Sequence, residues 1–167
     1  TELNLEQAQA IEVWRGPASA VLGGNALHGA INVISPVPQR TSLGIEVGNY
    51  DFARVNAAGG FTRGDHTVGA SIVGTTTNGY RDSTGYGQQK ASLAHLTEVS
   101  GWAVKNQFTA TLLNQETGAY VRGLEAYEDP DLRSFNPNPE AFRDAWSMRA
   151  SSEWTVSYTH LRAHETS

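Results

Sequence analysis

Apolar and polar residues alternate along most of the chain after Thr41. Successive side chains of a β-strand point to opposite faces, so this period of two predicts strands with one apolar and one polar face. Strands are predicted at about 42–50, 52–62, 66–78, 88–98, 102–114 and 146–156. The fifth has the clearest pattern: Trp102, Val104, Phe108, Ala110 and Leu112 oppose Ala103, Lys105, Gln107, Thr109 and Thr111. The fourth has the weakest, because Leu93 and Leu96 fall on opposite faces.

Residues 1–40 follow a different pattern. Residues 11–14 alternate like a strand that stops at Arg15-Gly16-Pro17. Pro17 can begin a short helix that Gly23-Gly24 would end. Residues 30–34 predict a second strand, closed by Pro36-Val37-Pro38. The expected order is strand, short helix, glycine turn, strand and proline linker.

The long strands fit either a soluble sandwich or an outer-membrane barrel. Strands of about 10 residues rise roughly 33 Å, and a tilt near 40° projects this to about 25 Å, the height of the apolar band of such barrels. The polar faces carry charged residues that suit a hydrated lumen, namely Glu46, Arg54, Lys105, Arg149 and Glu153. Strand length therefore favours the barrel.

The links between the predicted strands alternate in length. Those near 63–65 and 99–101 are short, those at about 79–87 and 115–145 are long, and the first, at 50–51, would be a short outer loop. Outer-membrane barrels have short periplasmic turns and longer outer loops, so this parity supports the barrel. Trp102, Trp146 and Trp154 lie near strand ends, where an aromatic girdle is expected.

Composition narrows the choice further. The chain has 17 glycines among 167 residues, a mean hydropathy of -0.40 and no cysteine, which favours an all-β protein over one with a large apolar core. A net charge of -5 argues against nucleic-acid binding. No run approaches the roughly 18 apolar residues of a spanning helix, so a membrane crossing would use strands. The first residues resemble no export signal, and we expect the natural N-terminus to lie upstream.

Residues 11–20, Gly23 and residues 25–34 together resemble the late plug segment of TonB-dependent outer-membrane receptors. The order and spacing of I-E-V-x-R-G-P, a glycine turn and I-N-V-I extend over more than twenty residues, which makes the signal specific. Leu22 stands where the family usually has an aromatic residue, and His28 where it often has glycine. The resemblance implies that 1–38 end a plug domain and that 39–156 begin a barrel of about 22 antiparallel strands, an all-β membrane fold.

The same resemblance implies a function: non-enzymatic, energised uptake of a scarce, bulky ligand such as a ferric siderophore. The implied partners are the TonB complex, through a segment outside this chain, the ligand, and outer-membrane lipid and lipopolysaccharide; no cofactor is implied. The location would be the outer membrane of a Gram-negative bacterium. Two alternatives stay open, a soluble all-β ligand-binding or adhesion module and a β-rich hydrolase, although no catalytic motif supports the second.

Candidate residues fall into two groups. The plug motif, with a structural role, contains Arg15, Gly16, Pro17, Gly23, Gly29 and Asn32. Arg15 is expected to pair with a carboxylate of the plug or the barrel wall. The candidate ligand contacts, on the long links, are Tyr80, Arg81, Tyr86, Tyr120, Arg122 and Tyr127. Girdle packing and loop ordering are the alternative for the second group.

No metal site is predicted. His28, His66 and His95 are isolated in the sequence and are expected to be structural, and the acidic residues of the last link lack the spacing of a calcium loop. His160 and His164 have the i, i+4 spacing of zinc ligands but lie in residues 157–167, which resemble translated adapter sequence and are expected to be non-native.

Overall fold

The computed structural model describes Leu5 and residues 8–16 and 26–156. The predicted helix after Pro17 and the predicted non-native tail lie outside these residues. The described elements, in chain order, are β1 (Ala10–Arg15), β2 (Gly29–Ile34), β3 (Ser42–Gly48), β4 (Phe52–Arg63), β5 (His66–Thr77), β6 (Tyr86–Val99), β7 (Trp102–Glu116), α1 (Pro130–Ser134) and β8 (Phe142–Val156).

The strands form two antiparallel sheets. β1 and β2 pair as a hairpin, and β3 to β8 form a six-stranded sheet in which each strand pairs with the next one along the chain. The predicted all-β fold and the six predicted strands are confirmed. β6 begins at Tyr86 and β8 at Phe142, both earlier than the alternation predicted. No helix among the described residues is long and apolar enough to cross a bilayer.

The two faces of the six-stranded sheet differ in chemistry and in exposure. We call one the apolar face; most of its large side chains are exposed, and those with at least 43% exposure include Leu43, Ile45, Ile72, Leu93, Phe108, Leu112, Trp146 and Met148. The opposite, polar face is the more buried one; its residues below 9% exposure include Thr67, Ser71, Val73, Thr75, Lys90 and Thr111. The sheet thus exposes its apolar face and covers its polar face, which is the reverse of the arrangement in a soluble protein.

The segment between the two sheets lies directly on the polar face. Gly60 and Gly69 are register partners on β4 and β5. A Cβ atom at Gly69 would lie 2.5 Å from the carbonyl oxygen of Pro38, and one at Gly60 would also collide with that oxygen. The absence of side chains at this pair therefore makes room for the backbone of the linker.

In the β1–β2 hairpin, glycine is required where the strands meet their connection. Gly29 has φ +147°, and a Cβ there would lie 2.5 Å from the carbonyl oxygen of Trp14. Gly16 has φ +97°, also in the region that favours glycine. The hairpin carries its own polar contact, in which Asn32 Nδ2 donates to Glu12 Oε2 at 3.0 Å.

The connections of the six-stranded sheet alternate as predicted. Residues 64–65 and 100–101 form tight turns at one end, whereas 49–51, 78–85 and 117–141 lie at the other. The two longest loops are joined, because Arg81 donates from Nε (3.0 Å) and Nη2 (2.6 Å) to the carbonyl oxygen of Phe135. Asn136, only 3% exposed, donates to the carbonyl oxygen of Ser83 at 3.0 Å. These bonds hold the long loops in one arrangement.

Candidate functional site

A cleft of about 580 Å³ lies between the end of β2 and the polar face of β7 and β8. Lys105 Nζ donates to the carbonyl oxygen of Ser35 at 2.9 Å and so anchors the chain that leaves the hairpin. The cleft is lined by Asn32, Val33, Ile34, Ser35, Lys105, Gln107, Thr109, Arg149, Ser151 and Glu153. Its charged wall is the polar face that the alternation assigned to a hydrated lumen.

A second pocket, of about 360 Å³, lies within the 117–141 loop. The Arg122 guanidinium donates to the Tyr120 hydroxyl at 2.9 Å and lies 5.3 Å from the centre of that ring. The remaining lining residues are apolar, namely Ala119, Val121, Leu132, Phe135 and Pro137. An arginine held against an aromatic ring beside an apolar wall offers a fixed positive charge and a flat surface, which suits a bulky anionic or aromatic ligand.

The helix α1 positions one wall of this loop pocket. Asp129 is its N-cap, and its carboxylate accepts hydrogen bonds from the backbone N–H groups of Asp131 (2.9 Å) and Leu132 (3.2 Å). Pro130 occupies the first turn, where its missing N–H costs nothing. The loop pocket and α1 were not predicted. The Asp-Pro pair at 129–130 is the sequence signal that could have found the helix.

The six candidate ligand contacts do not form one cluster. Tyr120 and Arg122 line the loop pocket together, while Tyr127 is 71% exposed in the same loop and does not line it. Arg81 donates hydrogen bonds to the carbonyl oxygen of Phe135, which is the loop-ordering role that was the alternative to ligand contact.

The two remaining tyrosines lie on the neighbouring loop and strand. Tyr80 packs edge-on against Tyr50, with ring centres 5.6 Å apart at 90°. Tyr86 begins β6 and pairs with Thr77 and Gln115. Neither tyrosine lines the loop pocket.

The plug-motif residues divide between described and undescribed parts of the chain. Arg15 and Gly29 are register partners at one end of the hairpin, and Asn32 contacts Glu12. Pro17 and Gly23 lie outside the described residues. Within the described part of the chain Arg15 forms no ion pair, so its predicted carboxylate partner stays a prediction.

Charged and titratable groups form two contacts that the sequence did not suggest. Arg54 and Glu46 pair across β3 and β4 at 3.2 Å on the polar face. His66 and His95 are far apart in the sequence, and the antiparallel pairing of β5 and β6 brings His66 Nδ1 within 3.1 Å of His95 Nε2. In the described ranges no three metal-binding side chains come together; His160 and His164 lie outside them.

The up-and-down sheet, with its exposed apolar face and a hairpin at its polar face, is similar in fold to part of the barrels of TonB-dependent outer-membrane receptors. FpvA from Pseudomonas aeruginosa, bound to a heterologous pyoverdine with iron, matches 89% of this chain with a TM-score of 0.72 at 12% identity. The siderophore receptor PiuA from Acinetobacter baumannii matches 73% with a TM-score of 0.62 at 16% identity. FpvAI in complex with pyocin S2 matches 89% with a TM-score of 0.71 at 14% identity.

The likeness covers a small part of those receptors. This chain spans 22% of the FpvA chain and 18% of the PiuA chain. At 12% to 16% identity the likeness concerns the fold. No protein-family model matches the sequence, and no curated protein matches it.

Proposed function

We propose that this chain joins the plug to the barrel in a TonB-dependent receptor that imports a scarce, bulky ligand across the outer membrane of a Gram-negative bacterium. The observation that carries the proposal is the reversed sheet. Leu43 and Ile45 are 71% and 68% exposed, whereas Thr67 and Ser71 on the other face are nearly buried. Lipid covering the apolar side would stabilise such a sheet, as it does in outer-membrane barrels.

The position of the hairpin supports a division near residue 38. The β1–β2 hairpin pairs with no strand of the larger sheet, and its chain crosses to that sheet through the Lys105–Ser35 contact and the Gly60–Gly69 pair. Residues up to 38 are then the end of the plug, and residues from 39 begin the barrel wall. Gly16 and Gly29 set the turn of the plug motif, and the TonB complex would act on a part of the plug outside this chain.

The loop pocket supports an anionic, metal-chelating ligand such as a ferric siderophore. Tyr120 and Arg122 present an aromatic face and a guanidinium at the end of the sheet that has the long loops. Long loops lie outside the cell in outer-membrane barrels, where a scavenged ligand arrives. FpvA with pyoverdine and the siderophore receptor PiuA have a similar fold over 80% and 73% of this chain. The proposed role is transport without catalysis.

Cysteine labelling of the intact receptor in outer membranes tests this assignment. The chain has no native cysteine, so each introduced thiol reports on one position. Phe108→Cys lies on the apolar face and Thr109→Cys, its matched control, on the polar face. A thiol that faces lipid stays protonated and reacts poorly in place, so a nitroxide spin label is coupled to each thiol in detergent before the receptor is returned to membranes. We expect molecular oxygen, which concentrates in lipid, to relax the label at Phe108→Cys, and a water-soluble nickel chelate to leave it unaffected.

The control should behave differently. We expect the nickel chelate to relax the label at Thr109→Cys, which lines the cleft, more strongly than oxygen does. If neither oxygen nor the chelate reaches the label at Phe108→Cys, the apolar face is packed in a protein interior and the soluble all-β module is favoured instead. If the chelate relaxes both labels equally, the sheet lies in water and the receptor assignment is wrong.

A further inference from the structure

A row of polar side chains interrupts the apolar face near the tight turns. His95, Asn106 and Ser152 are register partners on β6, β7 and β8. His66 of β5 extends the row, because its Nδ1 lies 3.1 Å from His95 Nε2. On the side of the sheet that the proposed function assigns to lipid, such groups need a polar partner.

The two histidines lie side by side. Their ring planes differ by 17° and their centres are 5.3 Å apart. With a 3.1 Å contact between the two nitrogens, the ring centres can be 5.3 Å apart only if both nitrogens point along the line that joins the centres. The geometry is that of one hydrogen bond between the rings, and each ring keeps its second nitrogen for another partner.

A groove of about 500 Å³ begins at this row and opens on the apolar face. Leu93 and Phe108 are register partners at the groove, and Ala150 pairs with Phe108 on the next strand. The short side chain of Ala150 leaves a depression between its larger neighbours. The groove is lined by Leu93, His95, Asn106, Gln107, Phe108, Ala150, Ser151 and Ser152. It is apolar along most of its length and polar at one end, and its size falls in the range of ligand pockets, roughly 300–1,000 Å³.

A positive charge stands next to the polar end. Arg63 is the register partner of His66 across the turn at 64–65, which places their Cβ atoms about 5 Å apart. In the described part of the chain Arg63 has no ion-pair partner. A guanidinium matches the geometry of a phosphate with two parallel hydrogen bonds. The end of the groove is therefore suited to an anion.

We propose that the groove and the Arg63–His66–His95 cluster bind one glycerophospholipid of the inner leaflet, with an acyl chain over Ala150 and the phosphate at the cluster. The proposal rests on the proposed function, which places the tight turns on the periplasmic side. A free phosphate would use only the cluster, and a hydrocarbon chain only the groove. His95 belongs to both, which favours a molecule that contains both parts.

Native mass spectrometry of the intact receptor, purified in mild detergent and titrated with dioleoyl phosphatidylglycerol, tests this site. We expect at least about tenfold weaker binding for Arg63→Gln combined with His66→Gln, because the variant loses hydrogen bonds to a charged group and each contributes about 1.5 kcal/mol or more. Ala150→Trp should weaken binding at least as much, because the indole fills the groove. Ala57→Trp is the matched control: it makes the same change on the apolar face of β4, outside the groove, and should bind as the unchanged receptor does.

Two fragments of the lipid complete the design. Dioleoylglycerol lacks the phosphate and glycerol phosphate lacks the chains, and each should bind more weakly than the whole lipid. Glycerol phosphate binding as tightly as the lipid would overturn the proposal in favour of a simple anion site. Unchanged lipid binding in Ala150→Trp, or equal loss in Ala57→Trp, would also overturn it. If the receptor still inserts in the outer membrane, any of these contrary results rules out the lipid site alone. Failure of the receptor to insert would instead contradict the proposed function.

Discussion

Placing an arginine in the middle of the apolar face should destabilise the protein strongly. Ala110 lies on β7, four positions from Asn106 on one side and four from Asn114 on the other. With a rise of about 3.4 Å per residue and a tilt near 40°, each of these polar positions is about 10 Å from Ala110 in projected height. Ala110→Arg therefore places a charge close to the middle of the proposed lipid-facing band.

The expected cost follows from depth in the bilayer. An arginine facing lipid at the midplane costs about 2–4 kcal/mol, and one near an interface costs about 0–1 kcal/mol. The first figure corresponds to a fall of roughly 30-fold to several hundredfold in the folding equilibrium constant. Asn114→Arg is the interface control, because Asn114 Nδ2 donates to Asp144 Oδ1 at 2.6 Å and an arginine there retains the carboxylate as a partner.

The assay is equilibrium unfolding of the intact receptor in lipid bilayers, followed by tryptophan fluorescence. Thr109→Arg provides a second control on the same strand, since Thr109 lines the polar cleft, where an arginine can reach water. We expect a large loss for Ala110→Arg and a small one for each control. A change within about 0.5 kcal/mol for Ala110→Arg, the usual range for surface positions, would refute the lipid-facing assignment.

Two further substitutions test the linker and the loop pocket. Gly69→Val should lower the free energy of unfolding by about 1–3 kcal/mol, because its Cβ meets the backbone of Pro38. Gly74→Val, with no atom within 4 Å of the added Cβ, should have a much smaller effect in the same equilibrium unfolding assay. Arg122→Ala should weaken ligand binding by about tenfold, as loss of a central arginine contact does, whereas Arg133→Ala, outside the pocket, should not. Uptake of radioactive iron by receptor-deficient cells that carry each variant measures the effect. Equal uptake by the two variants would contradict the ligand role.

The sheet could be predicted because its strands are long and their faces differ. Along β7, one exception at Asn106 did not obscure a regular alternation. The start of β8 was missed because Asp144 lies on the apolar face, which breaks the pattern there. The register explains its position, since Asn114 stands opposite and donates to its carboxylate. A cross-strand hydrogen bond of this kind depends on pairing that a single strand does not reveal.

The site was less predictable than the sheet. Tyr120 and Arg122 could be selected by residue type, but the apolar wall of their pocket comes from Leu132 and Phe135, in a loop without periodicity. Arg81 was selected for the same reasons and instead bonds a backbone carbonyl of the other loop. Side-chain chemistry indicates which residues could bind a ligand. Which of them already bond to other parts of the protein depends on how the loops fold.

The Gly60–Gly69 pair has a mechanical consequence. Tension on the hairpin would travel along β2 to Ser35 and then to Pro38. The single hydrogen bond from Lys105 can break and re-form at small cost, whereas the backbone seated over two glycines moves only if β4 and β5 move with it. We therefore expect tension to separate the hairpin from β7 before it lifts the linker off β4 and β5.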